Sequence, residues 1–131
     1  MIRGVSNIII IPVDDQERAK TFWTETIGFE VVVDAPYREE RWIEVRSPDG
    51  VRLVLSAREE WSRNDRAVPD EVPTSDVMFH CDDVEATYDE LSARGVRFPQ
   101  PPIRMPFGWW SMFNDTEGNR FALGQMETDE R

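Results

Sequence analysis

The sequence predicts an α+β fold of two tandem βαβββ modules that enclose a cleft. The main observation is an internal repeat, because Asp14-Asp15-Gln16-Glu17 returns 68 residues later as Asp82-Asp83-Val84-Glu85. A second repeated stretch places an acid, a Gly and an Arg before apolar residues, as expected for a turn between antiparallel strands. It occurs at Asp49-Gly50-Val51-Arg52 and again at Glu117-Gly118-Asn119-Arg120. Landmarks that keep one spacing indicate a duplicated structural unit.

The first module is predicted over residues 5–57. An apolar strand over residues 5–13 leads to a helix that we expect Asp14 to cap, with Glu17 completing a capping box. Apolar side chains recur on one helix face until Gly28, where a left-handed C-terminal cap is expected. Three strands follow, around Glu30–Val33, Arg41–Arg46 and Val51–Ser56.

The second module is predicted over residues 75–125. Residues 58–74 are polar and charged and contain Pro, so they are predicted to link the modules. The second helix is expected to begin at a cap on Asp82 and to end at Gly95. Four Pro residues interrupt Phe98–Gly108, which predicts a stiffened loop rather than a central strand. Residues 1–131 together have the length of one ordinary domain.

The composition excludes several classes of protein. A single Cys rules out an internal disulfide framework and fits a reducing compartment. The chain has neither a basic, apolar leader nor an apolar run of about 18 residues, so we expect a cytoplasmic protein with no membrane partner. The net charge of −11 argues against nucleic acid as a partner and favours the approach of cationic ligands. The same charge also keeps a protein soluble without any role in recognition.

Alternation along the strands sorts each predicted sheet into two faces. One face is almost wholly apolar and is expected to pack against the helices. It carries Ile9, Ile11, Ile43, Val45, Leu53 and Leu55, then Val77, Phe79, Cys81, Ser111, Phe113, Phe121 and Leu123. The other face mixes apolar, aromatic and charged side chains and is predicted to line the cleft. It carries Ile8, Ile10, Trp42, Glu44, Arg52, Val54 and Ser56, then Asp76, Met78, His80, Trp110, Met112, Arg120, Ala122 and Gly124.

Three stretches of the sequence resemble the vicinal oxygen chelate superfamily, which includes glyoxalase I, extradiol dioxygenases and the bleomycin- and fosfomycin-resistance proteins. They are Ile11-Pro12-Val13-Asp14-Asp15, Phe22-Trp23-Thr24-Glu25-Thr26-Ile27-Gly28-Phe29, and Asn114-Asp115-Thr116-Glu117-Gly118-Asn119, which looks like the family's Asp-Pro-Asp-Gly-Asn turn. The resemblance covers residues 5–125 and implies the paired-module fold and a homodimer. It does not imply one activity, because the superfamily contains isomerases, dioxygenases, transferases and plain binders.

The resemblance also locates the positions at which metal-using members hold their ion. Those members place His or Glu on the first and last strands of each module, and the matching residues here are Ile8, Val54, Asp76 and Ala122. Only Asp76 has a donor atom, whereas a divalent ion needs about three or more oxygen, nitrogen or sulfur donors. We therefore predict no metal and no cofactor at these positions. An unusual site built from Asp76, Glu44 and His80 stays open.

The candidate ligand-binding residues all lie on the mixed face. They are Trp42, Glu44, Asp76, Met78, His80, Trp110 and Met112. Trp rings offer flat contact area and attract cations, and Met side chains adapt to irregular apolar surfaces. Buried carboxylates need partners, so Arg52 or Arg120 could pair with Glu44 or Asp76 and leave them a structural role. If Arg52 and Arg120 instead point into the cleft, an anionic ligand becomes the better expectation. His80 is either a strand-end residue at the rim or a general base at the cleft mouth.

The favoured function is binding of a small cationic or aromatic molecule without catalysis, as in the bleomycin-resistance branch of the superfamily that the sequence resembles. The alternative is a glyoxalase- or dioxygenase-like enzyme, a lyase, isomerase or oxygenase, that uses Asp76, Glu44 or His80 with or without a metal. A third possibility is a fold that serves protein association alone. The sequence identifies no catalytic residue. A homodimer is expected, since open sheets leave edges to be covered.

Overall fold

The computed structural model describes residues 1–4, 8–58, 77–106 and 108–126 of the 131-residue chain. The chain divides into two compact units, Met1–Val68 and Pro69–Arg131. The first contains β1 (Ile8–Val13), α1 (Gln16–Thr21), a π-helical segment (Phe22–Thr26), β2 (Glu30–Tyr37), β3 (Glu40–Arg46) and β4 (Arg52–Ala57). The second contains β5 (Met78–His80), α2 (Val84–Ala93), β6 (Ile103–Met105), β7 (Gly108–Asn114) and β8 (Arg120–Met126). The prediction of two βαβββ modules in an α+β fold is confirmed.

The two sheets have the same topology. The strand order is β1-β4-β3-β2 in the first sheet and β5-β8-β7-β6 in the second. In each sheet the first and last strands of the unit pair in parallel, and all other pairs are antiparallel. Each parallel pair is joined by a long connection that contains the helix and two strands, since parallel neighbours cannot be joined by a tight turn. The linker predicted over residues 58–74 lies, apart from Arg58, outside the described residues.

Both helices begin one residue later than predicted. The capping carboxylates belong to Asp15 and Asp83 rather than to Asp14 and Asp82. Each accepts a hydrogen bond from the amide three residues further on, at 2.9 and 3.0 Å, which is the bond that an N-cap side chain supplies. The carboxylate of Asp14 instead forms an ion pair with Arg58 at 3.0 Å. No helix within the described ranges is long and apolar enough to cross a membrane.

Helix α1 continues into a π-helical segment that buries two neighbouring aromatic side chains. The wider turn is closed by a bond from the Ile27 amide to the Phe22 carbonyl at 2.9 Å. Both Phe22 and Trp23 are buried, and their rings meet edge to face at 5.2 Å. A π-bulge rotates consecutive side chains, which allows both rings to enter the core. Gly28, with a φ of 98°, then ends the helix as predicted.

The side chain of Gln16 joins α1 to the sheet where β3 and β4 separate. The described β3–β4 ladder extends from Arg46 and Arg52 to Glu44 and Val54. Beyond that point the Gln16 amide donates to the carbonyls of Arg41, at 2.7 Å, and Leu55, at 2.9 Å. Its oxygen accepts from the Arg41 amide at 3.2 Å. One side chain therefore supplies hydrogen bonds that a strand partner would otherwise make.

Two strands differ from the prediction. Strand β2 was expected to end at Val33 but continues through Pro36 to Tyr37, which an edge strand permits because a Pro there need not donate a ladder bond. A two-residue turn then connects it to β3, and its first residue, Arg38, has a φ of 55°, as primed hairpin turns require. The stretch predicted to be a loop, Phe98–Gly108, contains β6. That prediction is wrong for Ile103–Met105, which form a short edge strand, and for Gly108, which begins β7.

The turn that joins β7 to β8 is organised by a buried carboxylate. Asp115 accepts hydrogen bonds from the amides of Glu117, at 2.9 Å, and Asn119, at 2.8 Å. The side-chain amide of Asn119 donates a third bond at 2.7 Å. Burial raises the pKa of Asp115, although these three donors act in the opposite direction. The acidic turn between antiparallel strands was predicted, but its buried hydrogen-bond network was not.

Candidate functional site

Each sheet has one face against its helix and one face turned away from it, which we call the open face. The helix-facing set of the first sheet is the more deeply buried one, and Ile11, Ile43, Val45, Leu53 and Leu55 are at most 2% exposed. In the second sheet Ser111, Phe113, Phe121 and Leu123 are at most 4% exposed. Ile9, Val77, Phe79 and Cys81 of the same set are half-buried. The predicted assignment of the helix-facing side chains therefore agrees with the observed burial.

The open face of the first sheet carries an aromatic pair. The rings of Tyr37 and Trp42 meet edge to face with centroids 5.3 Å apart, and both residues are more than a third exposed. Cross-strand register explains the contact, because Ala35 pairs with Trp42 and Tyr37 pairs with Glu40. Tyr37 and Trp42 therefore lie on the same face of the sheet. The guanidinium of Arg38 lies 5.3 Å from the Tyr37 ring centroid, within range of a cation–π contact.

The Trp42 ring is fixed by a carboxylate on the same strand. Its indole N–H donates to Oε2 of Glu44 at 2.6 Å, and the other oxygen, Oε1, accepts from Arg52 at 3.3 Å. Glu44 is buried, with a side chain only 10% exposed, whereas the Arg52 side chain is 42% exposed. The structure therefore pairs Glu44 with Arg52, one of the two structural partners that the sequence suggested. The pairing compensates a carboxylate that would be costly to bury alone.

Apolar side chains from β1 and β4 complete the open face of the first sheet. Ile8 and Ile10 are 39% and 48% exposed, and they pair in register with Arg52 and Val54. Exposed aliphatic and aromatic side chains on one sheet face, here separated by β4, form one of the recurrent surfaces on which small molecules bind. This face combines flat rings, aliphatic area and the Glu44–Arg52 ion pair.

The open face of the second sheet is apolar and rich in Met. Met78 lies directly over Gly124, and a Cβ built at that position would fall 1.8 Å from the Met78 methyl carbon. Met112 is buried, and Met78 and Trp110 are half-buried on the same face. Ile103, 38% exposed, pairs with Trp110 across β6 and β7. The absence of a side chain at Gly124 is what leaves room for Met78.

The remaining predicted site residues are dispersed. His80 is exposed at the end of β5, where it pairs with Gly124, and Asp76 lies outside the described residues. Arg120, the other suggested partner for a carboxylate, donates to the side chain of Asn114 at 3.2 Å. The described residues thus bring together Trp42 and Glu44 in one unit, and Met78, Trp110 and Met112 in the other. The prediction that the two sheets enclose a cleft stays a prediction.

The positions matching the family's metal ligands do not fit a metal ion. Ile8, Val54 and Ala122 have no donor atoms in their side chains, and the last two are buried. Across residues 1–4, 8–58, 77–106 and 108–126, no group of three or more His, Cys, Asp or Glu side chains could hold an ion. A site that needs about three donors has at most one at these positions, Asp76.

Tyr37 was not among the candidate site residues predicted from the sequence. It was missed because β2 was expected to end at Val33, four residues too early. The signal that could have placed it is the length of the connection, since extending both strands leaves only Arg38 and Glu39 as a two-residue hairpin loop. Arg52 was assigned to the correct face but was not among the candidate site residues.

Each unit has the order βαβββ, and its first and last strands pair in parallel through a connection that contains the helix. Two such units in one chain define the class of α+β proteins built from paired βαβββ modules. The chain belongs to the Glyoxalase/Bleomycin resistance protein/Dioxygenase superfamily, whose family model matches residues 6–123. The resemblance inferred from the three sequence stretches is therefore confirmed. Within the curated proteins, the chain is 32% identical over 126 residues to the Bacillus subtilis (strain 168) protein YetH, covering 94% of this chain and 98% of YetH.

Solved structures give the same result. TnmS3, described as an antibiotic binding protein from Streptomyces sp. CB03234, is 32% identical, with a TM-score of 0.79 over 97% of this chain and 99% of TnmS3. A superfamily member from Sphaerobacter thermophilus DSM 20745 is 29% identical, with a TM-score of 0.81 over 95% of this chain and 99% of that protein. These likenesses extend over nearly the whole chain.

Proposed function

We propose that this protein binds a flat aromatic small molecule and does not catalyse a reaction. The observation that carries the proposal is the open face of the first sheet, where Trp42 is exposed, fixed by Glu44 and paired with Tyr37. A ring held in one orientation before the ligand arrives loses little conformational freedom on binding. Each apolar contact then contributes about 25 cal/mol per Å² of area removed from water, before the cost of association.

The similarity to TnmS3 supports a binding function. That protein is described as antibiotic binding, and it shares 32% of its residues with this chain at nearly full coverage. We extend to this chain only the class of ligand, a small organic molecule. The Met-rich open face of the second sheet is suited to the same role, because Met side chains adjust to irregular apolar shapes.

The chemistry of the remaining groups supports binding over catalysis. The family's metal positions carry Ile8, Val54 and Ala122, which cannot ligate an ion. Glu44 already accepts hydrogen bonds from Trp42 and Arg52, so it is poorly placed to act as a general base. Burial raises the pKa of the Cys81 thiol, which favours its unreactive protonated form.

A thermal-shift screen of aromatic small molecules, followed by fluorescence titration, tests the proposal. A ligand that binds the folded state raises the melting temperature by mass action. We expect Trp42→Ala to weaken binding at least about tenfold, which is about 1.4 kcal/mol. Trp109→Ala is the matched control, because Trp109 pairs with Arg104 and lies on the opposite face of its strand from Trp110. Equal losses in both variants would contradict a role for the open face.

Metal analysis of the purified protein tests the alternative, an enzyme. We expect no zinc, nickel, manganese or iron in stoichiometric amount after dialysis. A retained ion that is lost in Asp76→Ala would overturn the binding proposal in favour of a metalloenzyme that uses unusual ligands.

We also propose that the protein is a homodimer. Among the described residues, the first sheet ends in β1 on one side and in the eight-residue β2 on the other, and strand edges without a partner favour association. Light scattering at micromolar concentration should give twice the mass of one chain, and a monomer mass would reject this.

A further inference from the structure

The geometry points to Arg52 as the residue that selects the ligand, and to an aromatic ligand with an anionic or acceptor oxygen rather than a cationic one. This inference rests on the proposed function, since it names the ligand class of the same open face. The ion pair between Glu44 and Arg52 is asymmetric in its exposure to solvent. The Glu44 side chain is 10% exposed and the Arg52 side chain is 42% exposed, so the pair presents its positive partner to solvent.

The carboxylate is already occupied. Its Oε2 accepts from the Trp42 indole at 2.6 Å, and its Oε1 accepts from Arg52 at 3.3 Å. An ammonium group on a ligand would have to compete with the guanidinium for a carboxylate that is largely shielded from solvent. The expectation that Glu44 attracts a cation is thereby weakened, although the net charge of −11 still favours cations at long range.

Arg52 keeps hydrogen-bonding capacity. A guanidinium carries several N–H donors in a rigid plane, and within the described part of the chain the Arg52 side chain donates one hydrogen bond, from Nη1 to Glu44. The planar arrangement matches a carboxylate, which it binds through two parallel hydrogen bonds. Glu44 acts here as a positioning residue, because it fixes both the donor group and the neighbouring indole.

A second guanidinium lies at the other side of the aromatic pair. Arg38 lies 5.3 Å from the centroid of the Tyr37 ring. Its backbone is held in the left-handed region, with a φ of 55°, by the tight turn between β2 and β3. The aromatic pair thus has one guanidinium over Tyr37 and another on the carboxylate that holds Trp42, and Glu40, the register partner of Tyr37, adds a carboxylate to the same face. Arg52 is the guanidinium that is tied to the fixed Trp42 ring through a shared partner.

Three matched probes test the inference: 2-naphthoate, 2-naphthylmethanol and 2-naphthylmethylammonium. They share one ring system and differ in charge, so their affinities separate stacking from charge recognition. Binding is measured by calorimetry at about 0.15 M salt, where charges further than about 8 Å apart are largely screened. The Trp42 indole N–H cross-peak, identified with Trp42→Phe, reports whether the probe reaches this face. We expect 2-naphthoate to bind at least about tenfold more tightly than the ammonium probe.

Substitutions then assign the selectivity. Arg52→Gln should reduce 2-naphthoate affinity to that of 2-naphthylmethanol and leave the neutral probe within about twofold. Arg46→Gln is the control, because Arg46 is the register partner of Arg52, is similarly exposed and pairs instead with Glu30. Arg52→Lys, which keeps the charge but loses the planar fork, covers the case in which Arg52→Gln does not fold. It should retain part of the preference.

The outcomes are distinguishable. If the ammonium probe binds as tightly as 2-naphthoate, or if Arg46→Gln has the same effect as Arg52→Gln, the inference is overturned and aromatic binding stands. If no probe moves the Trp42 cross-peak, the proposed function itself fails, and the inference fails with it.

Discussion

The indole N–H of Trp42 donates a 2.6 Å hydrogen bond to Oε2 of Glu44, two residues along the same strand. Side chains at this spacing share one face of a sheet, so the bond holds the ring against its own strand. Glu44 also accepts from Arg52 on the neighbouring strand. The orientation of the ring is therefore coupled to a charge on β4, and both are set before any ligand binds.

A double-mutant cycle should detect this coupling. Trp42→Phe removes the donor and Glu44→Ala removes the acceptor, so the two losses of unfolding free energy should overlap by about 1–2 kcal/mol. Urea unfolding of the wild type, the two single variants and the double variant measures this coupling free energy. Tyr37→Leu with Glu44→Ala is the control pair, since the described structure has no hydrogen bond between Tyr37 and Glu44. Their losses of unfolding free energy should be additive within about 0.5 kcal/mol. Additivity in the Trp42 cycle would mean that the bond contributes nothing.

Gly124→Ala should displace Met78 with little loss of stability. The new Cβ would fall 1.8 Å from the Met78 methyl carbon but 3.5 Å from its sulfur, so rotation at the end of a flexible side chain relieves the clash. We expect a cost at the low end of the about 1–3 kcal/mol that overpacking brings. A methyl NMR spectrum should show a large shift for Met78 and a smaller one for Met105. An unmoved Met78 methyl signal would refute the predicted contact.

Gln16→Ala should destabilise the first unit by about 2 kcal/mol. It removes three hydrogen bonds and leaves backbone groups of Arg41 and Leu55 without their side-chain partner. Hydrogen exchange at the Arg41 amide should accelerate. Gln125→Ala is the control, because within the described residues the Gln125 side chain makes one hydrogen bond, which it accepts from the Val84 amide at 2.7 Å. A cost for Gln16→Ala no larger than for this control would contradict the predicted role.

Asp115 should make the protein less stable as the pH rises. Burial raises its pKa in the folded state, so the fold favours the protonated form. The stabilisation is fully present below the ordinary Asp pKa and is lost as the pH rises through the raised value. Urea unfolding of the wild type and Asp115→Asn between about pH 4 and pH 7 isolates this change. If the plot of unfolding free energy against pH for the wild type runs parallel to that for Asp115→Asn, the predicted pH dependence is wrong.

Asp34 should have the opposite dependence. Hydrogen bonds from Arg41 and Lys20 lower its pKa to about 2, so its contribution is present above the ordinary Asp pKa and is lost as the pH falls toward 2. The ion pairs lie near the surface, which limits the loss in Asp34→Asn at pH 7 to about 1 kcal/mol. Wild type and variant should converge in acid. A difference that persists at about pH 2 would indicate another cause.

The topology was predictable because it follows from two simple periodic patterns in the sequence. The 68-residue repeat gives the two units, and alternation along the strands separates the buried helix-facing side chains, such as Leu53 and Phe121, from the open face. Both patterns depend only on residue order. The helix caps were misplaced by one residue because two Asp residues stand next to each other at each helix start, and the sequence alone does not distinguish them.

Side-chain pairing on the open face was less predictable. Whether Glu44 meets Arg52, or Trp42 meets Tyr37, depends on the register between strands, which the hairpin lengths decide. A four-residue error in the end of β2 was enough to remove Tyr37 from the candidate site. The order of the residues predicts which side of a sheet a residue occupies more readily than which neighbour it contacts.

The division of each sheet into a helix-facing side and an open face has an evolutionary consequence. Substitutions at Ile43 or Leu55, which are fully buried, open cavities in the core, whereas Ile8 and Ile10 are exposed enough to change at small cost. Because the scaffold occurs twice, one copy can change its chemistry while the other is retained. The polar, aromatic face of the first sheet and the Met-rich face of the second show that equivalent surfaces of the two copies carry different chemistry. A repeated scaffold therefore allows the chemistry of one surface to change without rebuilding the fold.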